Sequence, residues 1–204
     1  MLSLAENPPM LPPEVESVTQ MCGRWWVAHT KSRFEKAFAW DLSRLGIGYF
    51  LPMIQRVRIC GGKKRKVLAP LFASYVFLCG SDEDRYTAMT TNRLCQTLEV
   101  RDQGQLVSEL AAIGKALAGR AVLDPYPFAA VGNRCRVTSG PFEGLEGVVV
   151  QRNGVSRLVL GVSILGQGAL LELDTALLER VDQEPPCTGQ LRPRWAAAEE
   201  AEDR

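Results

Sequence analysis

The chain has few of the residues from which metal centres are built. Its 204 residues include a single histidine, His29, and six cysteines, none of them in a Cys-X-X-Cys pair. Zinc and iron–sulfur sites are usually held by closely spaced cysteine and histidine ligands, so the sequence predicts no metal and no cofactor. It also lacks a recognisable nucleophile–base set and a glycine-rich phosphate loop. We therefore expect that the protein is not an enzyme.

Long hydrophobic runs are missing as well. No stretch of about 18 apolar residues occurs, as a membrane span would require. The first twenty residues are acidic and rich in proline, without the basic and then apolar order of a secretion signal. The sequence therefore predicts a cytoplasmic protein with free cysteines rather than a disulfide framework. We expect a monomer with no membrane contact.

An excess of one charge is absent overall but present locally. The formal net charge is only +1. Between residues 22 and 70, however, 11 lysines and arginines face only 2 acidic residues, while both ends of the chain are acidic. Such an uneven distribution is typical of a surface that attracts a polyanion or an acidic protein.

Prolines and a change in composition divide the chain into two units. The proline-rich start predicts a disordered segment over residues 1–21, and the stretch after Asp182 predicts a disordered tail over 182–204. A connector over 122–130, which contains Pro125 and Pro127, separates a first unit (22–121) from a second (131–181).

The first unit is predicted to be α+β, an antiparallel sheet with flanking helices. Ser32 and Glu35 have the spacing of a capping box at the start of the first helix, and Ser81 is placed to cap the second. Gly61-Gly62 predicts the turn of a hairpin. The expected strands cover 24–29, 49–53, 55–59, 66–69, 74–78 and 94–100, and the expected helices cover 33–45, 82–90 and 106–118.

The second unit is predicted to be a small all-β barrel. A strand runs into the turn Gly140-Pro141, and Asn153-Gly154 is a strong hairpin signal between two β-branched runs. Further strands are expected over 156–162 and 169–174. Glycines in this stretch cost a helix about 1 kcal/mol each, so we expect the barrel, rather than a helical hairpin, to be the stable state.

Several motifs in these two units resemble the NusG family of transcription factors. WWVAHTK at 25–31, followed by a helix with Phe34 and Glu35, is similar to the start of the family's N-terminal (NGN) domain, and LFASYVF at 71–77 is similar to its central strand. GPFEGLEG at 140–147, VSILG at 162–166 and LELD at 171–174 resemble the KOW domain of the same family. The resemblance covers residues 22–181 and implies an NGN domain followed by a KOW barrel.

The resemblance implies a transcription elongation or antitermination factor that binds RNA polymerase and suppresses pausing or termination. The KOW domain would recruit a partner such as Rho or a small-subunit ribosomal protein. In the general factor an aromatic residue usually follows Ile164 and a basic residue follows Gly166, whereas this chain has Leu165 and Gln167. These departures favour a specialised, RfaH-like member. The alternatives are the housekeeping NusG and a ribosome-associated KOW protein that binds RNA.

The same resemblance, with the charge pattern, supplies candidate site residues. An exposed apolar patch for polymerase is expected, although alternation along a strand buries about half of such residues. Basic residues near the first strand–helix junction and at the hairpin tip are candidates for DNA, including the non-template strand; a helix cap and a solvated tip are the alternatives. An apolar pair of the barrel, Ile164 and Leu165, is the candidate for docking a partner, and the alternative is that both residues belong to the ordinary core of the barrel. The candidates are Trp26, Phe72, Tyr75 and Phe77 for polymerase; His29, Lys31, Arg33, Lys63, Lys64, Arg65 and Lys66 for nucleic acid; and Ile164 and Leu165 for the partner.

Overall fold

The computed structural model describes residues 8–60, 63–127, 133–152, 155–173 and 177–181. The predictions for residues 1–7 and 182–204, and for the turns at Gly61-Gly62 and Asn153-Gly154, concern residues outside the described part of the chain. The helices are α1 (Glu35–Leu45), α2 (Asp82–Thr90) and α3 (Gln103–Ala118), with short 3-10 turns at Val18–Gln20 and Ser163–Leu165. The strands are β1 (Met10–Leu11), β2 (Arg24–Thr30), β3 (Gly48–Phe50), β4 (Met53–Cys60), β5 (Lys63–Pro70), β6 (Tyr75–Gly80), β7 (Leu94–Glu99), β8 (Leu123–Pro127), β9 (Asn133–Val137), β10 (Glu146–Arg152), β11 (Val155–Val162), β12 (Gln167–Glu172) and β13 (Leu178–Arg180).

The first sheet has five strands in the order β1-β3-β6-β2-β7, with antiparallel pairing throughout. Successive side chains of a strand point to opposite faces. Trp26 on β2 therefore joins a cluster with Phe38 of α1, whereas Trp25 and Val27 join one with Leu110 of α3. Both faces of the sheet are covered, which explains why β2 and β6 are almost continuously apolar. The predicted α+β unit is confirmed.

Strands β4 and β5 form a separate two-stranded hairpin. Their register runs from Met53 opposite Pro70 to Cys60 opposite Lys63. Ile54 is buried, but the exposed residues 55–57 and 63–66 lead away from the core. The predicted hairpin is confirmed, and it is longer than the sequence indicated.

The second unit is a six-stranded antiparallel sheet in the order β13-β9-β10-β11-β12-β8. It confirms the predicted small all-β unit after the α+β unit. The structure differs from the expected connector over 122–130, because Leu123–Pro127 forms β8 and pairs with β12. Residues 128–132 lie outside the described part of the chain.

The N-terminal segment also differs from the expectation of disorder over 1–21. Met10–Leu11 pairs with β3, and Val18 is buried in the same cluster as α3. The hydroxyl of Tyr49 donates a 2.7 Å hydrogen bond to the carbonyl oxygen of Pro8. Residues 8–21 are therefore a strap that extends the first sheet and packs against α3.

The two predicted helix caps have opposite outcomes. Ser81 caps α2 as expected, in a capping box with Asp84. The expected capping box of Ser32 and Glu35 is wrong, because α1 begins after Phe34 without any side-chain cap. The Glu35 carboxylate instead accepts a 2.6 Å hydrogen bond from the backbone N–H of Ser74.

Helix α3 connects the two units. Its buried residues share one apolar cluster with Phe77 of the first sheet and with Val137, Leu158 and Leu160 of the second. At the helix surface, the Ser163 hydroxyl donates to Glu109 Oε1 at 2.5 Å, and the Ser163 N–H donates to Glu109 Oε2 at 3.1 Å. None of the helices in the described residues is both long enough and apolar enough to span a membrane.

Candidate protein and nucleic-acid interfaces

Three of the four aromatic residues predicted to contact polymerase lie in the core. Trp26, Phe72 and Phe77 are 1%, 1% and 0% exposed. Phe72 packs edge-on against Phe77, with ring centroids 6.0 Å apart. The predicted exposed patch therefore does not include these three side chains, because Trp26 packs in the cluster that includes α1, and Phe72 and Phe77 pack in the cluster that includes α3.

Tyr75, the fourth, is half-buried and retains exposed surface. The register of β2 and β6 places it opposite His29, and the two rings stack with centroids 5.0 Å apart and an interplanar angle of 25°. Tyr75 follows Ser74, whose positive φ of 66° is held by the Glu35 carboxylate. Glu35 thus fixes the backbone from which Tyr75 projects.

Two basic residues, Lys31 and Arg33, follow His29 of this ring pair along the chain. The pairing of β2 with β7 becomes irregular between His29 and Thr30, and such irregularities redirect the side chains that follow. Lys31 and Arg33 are both exposed after it. The Lys31 ammonium donates a 2.7 Å hydrogen bond to the carbonyl oxygen of Asn92, which orients it along the surface. We call His29, Lys31, Arg33 and Tyr75 the ring–cation surface.

The structure places the four predicted basic residues of the hairpin on β5. Lys63, Lys64, Arg65 and Lys66 are all exposed, and none of them forms an ion pair within the described part of the chain. Alternation along β5 sends Lys64 and Lys66 to one face and Lys63 and Arg65 to the other. Both faces of the hairpin are therefore positively charged.

Sequence reasoning missed three exposed residues of β4. Arg56 adds a positive charge, while Val57 and Ile59 are among the most exposed large apolar side chains of the described residues. The signal was available, because RVRI at 56–59 alternates polar and apolar residues in the strand opposite KKRK.

In the second unit, the predicted docking pair lies on the 3-10 turn Ser163–Leu165. Gly166 ends this turn with a φ of 58°, a conformation that glycine adopts without strain. Ile164 and Leu165 are half-buried and pack against the cluster that includes α3. The structure thus leaves only part of each side chain accessible to a partner.

Two buried groups have raised pKa values away from these surfaces. Burial raises the pKa of Tyr49 to about 12. Burial, with smaller contributions from Cys22 and Asp84, raises the pKa of the Cys79 thiol to about 11. Both groups are therefore protonated at neutral pH. No group of three or more potential metal ligands occurs among the residues that the structure describes.

The fold and these surfaces define a protein of two units, an α+β domain with a basic hairpin and a β-rich domain docked on its last helix. Residues 23–109 match the family described as "Transcription termination factor nusG", and residues 131–160 match the KOW motif. These two matches, in this order, support membership of the NusG family. Among curated proteins, none matches the chain. NusG-family proteins are transcription factors rather than enzymes, and they generally bind RNA polymerase.

Proposed function

We propose that this chain is a transcription elongation or antitermination factor that binds RNA polymerase through its first domain. Within the ring–cation surface, Tyr75 is the residue proposed to contact polymerase. The observation that carries the proposal is the His29–Tyr75 stack, because Tyr75 alone of the four predicted aromatic residues is not buried. An aromatic ring that is fixed by its neighbours loses little entropy on binding, which is typical of interface hot spots.

The proposal assigns DNA to the other three residues of this surface, His29, Lys31 and Arg33, and to the basic residues of the hairpin. Lys31 and Arg33 follow His29 along the chain and are exposed, and Lys63–Lys66 project from the first domain on the hairpin. Contacts of lysine and arginine with phosphates give affinity that depends on salt and not on sequence. Ile164 and Leu165 are proposed to dock the second partner, Rho or a small-subunit ribosomal protein. The departures at Leu165 and Gln167 support a specialised, RfaH-like role.

The test is binding of the purified chain to a reconstituted bacterial elongation complex. We expect Tyr75→Ala to weaken binding by about tenfold or more, as for a central aromatic hot spot, while Tyr75→Phe keeps the ring and the affinity. Leu45→Ala is the matched control, since Leu45 is an exposed apolar residue at the end of α1. Neutralising Lys63–Lys66 to glutamine is expected to reduce the salt dependence of binding.

Two outcomes would contradict the proposal. If Tyr75→Ala bound as well as the wild type, Tyr75 would not be the polymerase contact. If the wild-type chain bound ribosomal subunits or ribosomal RNA but no elongation complex, the ribosome-associated alternative would replace the proposed function.

A further inference from the structure

A groove runs between the two domains, bounded by the N-terminal strap, α3 and the second sheet. Its volume is about 1170 Å³. Pockets for small ligands have about 300–1,000 Å³, so this groove is large enough for a short peptide segment. Its lining includes Met10 of the strap, Met53 at the base of the hairpin, Ala112 of α3 and Val148 of β10.

The apolar lining of the groove is only partly covered. Met10, Met53, Ala112 and Val148 each pack against an apolar cluster, yet all four are half-buried. Four half-buried apolar residues from four different elements are therefore gathered along one groove. Apolar surface of this kind in a concave site is typical of a place that receives another apolar group.

The charged side chains along the groove differ in how they are paired. Arg134 pairs with Glu146 at 3.8 Å, and the Lys115 ammonium donates to a backbone carbonyl oxygen. Glu16 and Glu109 also line the groove, and neither forms an ion pair within the described part of the chain. An occupant with positive charges would complement these two carboxylates.

The chain leaves the second sheet at the edge of this groove. Val181 follows β13 and is the last residue that the structure describes, and its N–H donates a 3.0 Å hydrogen bond to the carbonyl oxygen of Arg134. Ten extended residues span at most about 35 Å. Helix α3, which lines the groove from Gln105 to Ala118, has 16 residues and is about 24 Å long. Residues beyond 190 can therefore reach along the whole groove.

One short segment of the following chain complements the groove. Leu191, Pro193 and Trp195 alternate with Arg192 and Arg194. Proline favours an extended conformation in the residue before it, and alternate side chains of an extended chain point to opposite sides. Residues 183–190 and 196–204 contain no leucine, isoleucine, valine, methionine or aromatic residue. Residues 191–195, which we call the tail segment, therefore offer one apolar side and one side with two arginines.

We propose that the tail segment binds in the groove of its own chain. Its apolar side lies on the half-buried lining, and its arginines face Glu16 and Glu109. The bound segment joins the strap, α3 and the second sheet, and so stabilises the arrangement of the two domains. This inference goes beyond the proposed function and does not rest on it.

Attachment to the same chain makes a weak contact sufficient. A short linker gives an effective concentration of about 1 mM. A segment that binds as a free peptide with a Kd of about 0.1 mM would therefore be bound about ten times as much as it is unbound. A second copy of the chain at micromolar concentration competes poorly with such a contact.

The test is competition between the tail segment and a fluorescein-labelled peptide of residues 188–198. We expect the peptide to bind the full chain carrying Leu191→Ser and Trp195→Ser about tenfold more tightly than the wild-type chain, whose groove is occupied. Gln183→Ser with Gln190→Ser is the matched control, because it changes the same tail outside the segment. This control should bind the peptide as weakly as the wild type does.

Variants of the groove, made in the chain that carries the two tail serines, test where the peptide binds. Ser108 is exposed and lines the groove, so Ser108→Arg should weaken peptide binding by about tenfold, since it adds a bulky cation beside the arginines of the peptide. Thr87→Arg, at an exposed position of α2 outside the groove, should have no effect. Glu16→Gln should weaken binding by about threefold, whereas Glu14→Gln, at an exposed position outside the lining, should not. Circular dichroism verifies that each variant is folded.

Several results would overturn the inference. Equal affinity of the peptide for the wild type and the serine variant would mean that the tail segment does not occupy the groove. A peptide that binds neither chain, or that binds the Ser108→Arg variant as well as its parent, would refute the site. A wild-type chain that excludes the peptide only at concentrations where sedimentation shows dimers would assign the segment to the groove of a second copy.

Discussion

Replacement of Glu35 by alanine tests how the first domain holds Tyr75. The Glu35 side chain is buried, and its carboxylate accepts a 2.6 Å hydrogen bond from the Ser74 N–H. A hydrogen bond to a charged group contributes about 1.5–3 kcal/mol, and the substitution leaves the Ser74 N–H without this acceptor. We expect Glu35→Ala to lower the free energy of unfolding by about 2–3 kcal/mol.

Two further variants distinguish this contact from a local helix cap. Glu35→Gln keeps a side-chain oxygen as acceptor, so its loss should be about 1 kcal/mol. A capping box between Ser32 and Glu35 would make Ser32→Ala cost about 1 kcal/mol. In the structure Ser32 is exposed and makes no cap, so we expect Ser32→Ala to change stability by less than about 0.5 kcal/mol.

The assay is urea unfolding at pH 7, followed by tryptophan fluorescence and circular dichroism. Elongation-complex binding of the folded variants then reports on Tyr75, and Glu35→Ala should weaken it whereas Ser32→Ala should not. The reasoning is refuted if Glu35→Ala is as stable as the wild type. It is also refuted if Ser32→Ala is as destabilised as Glu35→Ala, because the cap would then be the real contact.

Two other predictions concern the N-terminal strap and alkaline pH. Val18→Ala should lower the free energy of unfolding by about 2 kcal/mol, because methyl groups are lost from the core and a cavity remains. Glu14→Ala is the control, since Glu14 is exposed. Equal stability of the two variants in urea would mean that the strap is not docked. The raised pKa of Tyr49, about 12, means that the folded state retains a proton which the unfolded chain releases near pH 10. The contribution of protonated Tyr49 to the free energy of unfolding is therefore complete below pH 10 and is lost as the pH rises towards 12. Tyr49→Phe should make the free energy of unfolding, measured in urea, decline less steeply between pH 9.5 and 11.5. Cys79 also titrates in this range, but it does so in the wild type and in the variant alike. An unchanged decline would contradict the assignment of the effect to Tyr49.

Features that depend on neighbouring residues could be predicted from the sequence. Ser81 and Asp84 are three residues apart, and their reciprocal bonds need nothing beyond one helical turn. The β4–β5 and β10–β11 pairs follow from alternation around glycine-containing turns. The order of an α+β unit and a β unit follows from these elements, and the family matches agree with it.

Features that depend on residues far apart in the chain could not be predicted from the sequence. Glu35 has a valid local partner in Ser32, but it bonds with Ser74, 39 positions along the chain. Alternation showed that Phe77 and Val76 face opposite sides of β6, yet it could not show that both sides are covered. The proline-rich start gave no periodic signal, and only docking against α3 and β3 orders residues 8–21.

The docking of the second unit on α3 fixes how the ring–cation surface and the docking pair Ile164 and Leu165 are placed relative to each other. A flexible connector would set the effective concentration of a tethered domain by its length. Here Leu123–Pro127 belongs to the second sheet, and α3 shares one apolar cluster with both sheets. The match to the NusG family ends at Glu109, the residue that holds Ser163 beside Ile164 and Leu165. The position of the proposed docking pair relative to the ring–cation surface is therefore set by packing on α3 and not by linker length.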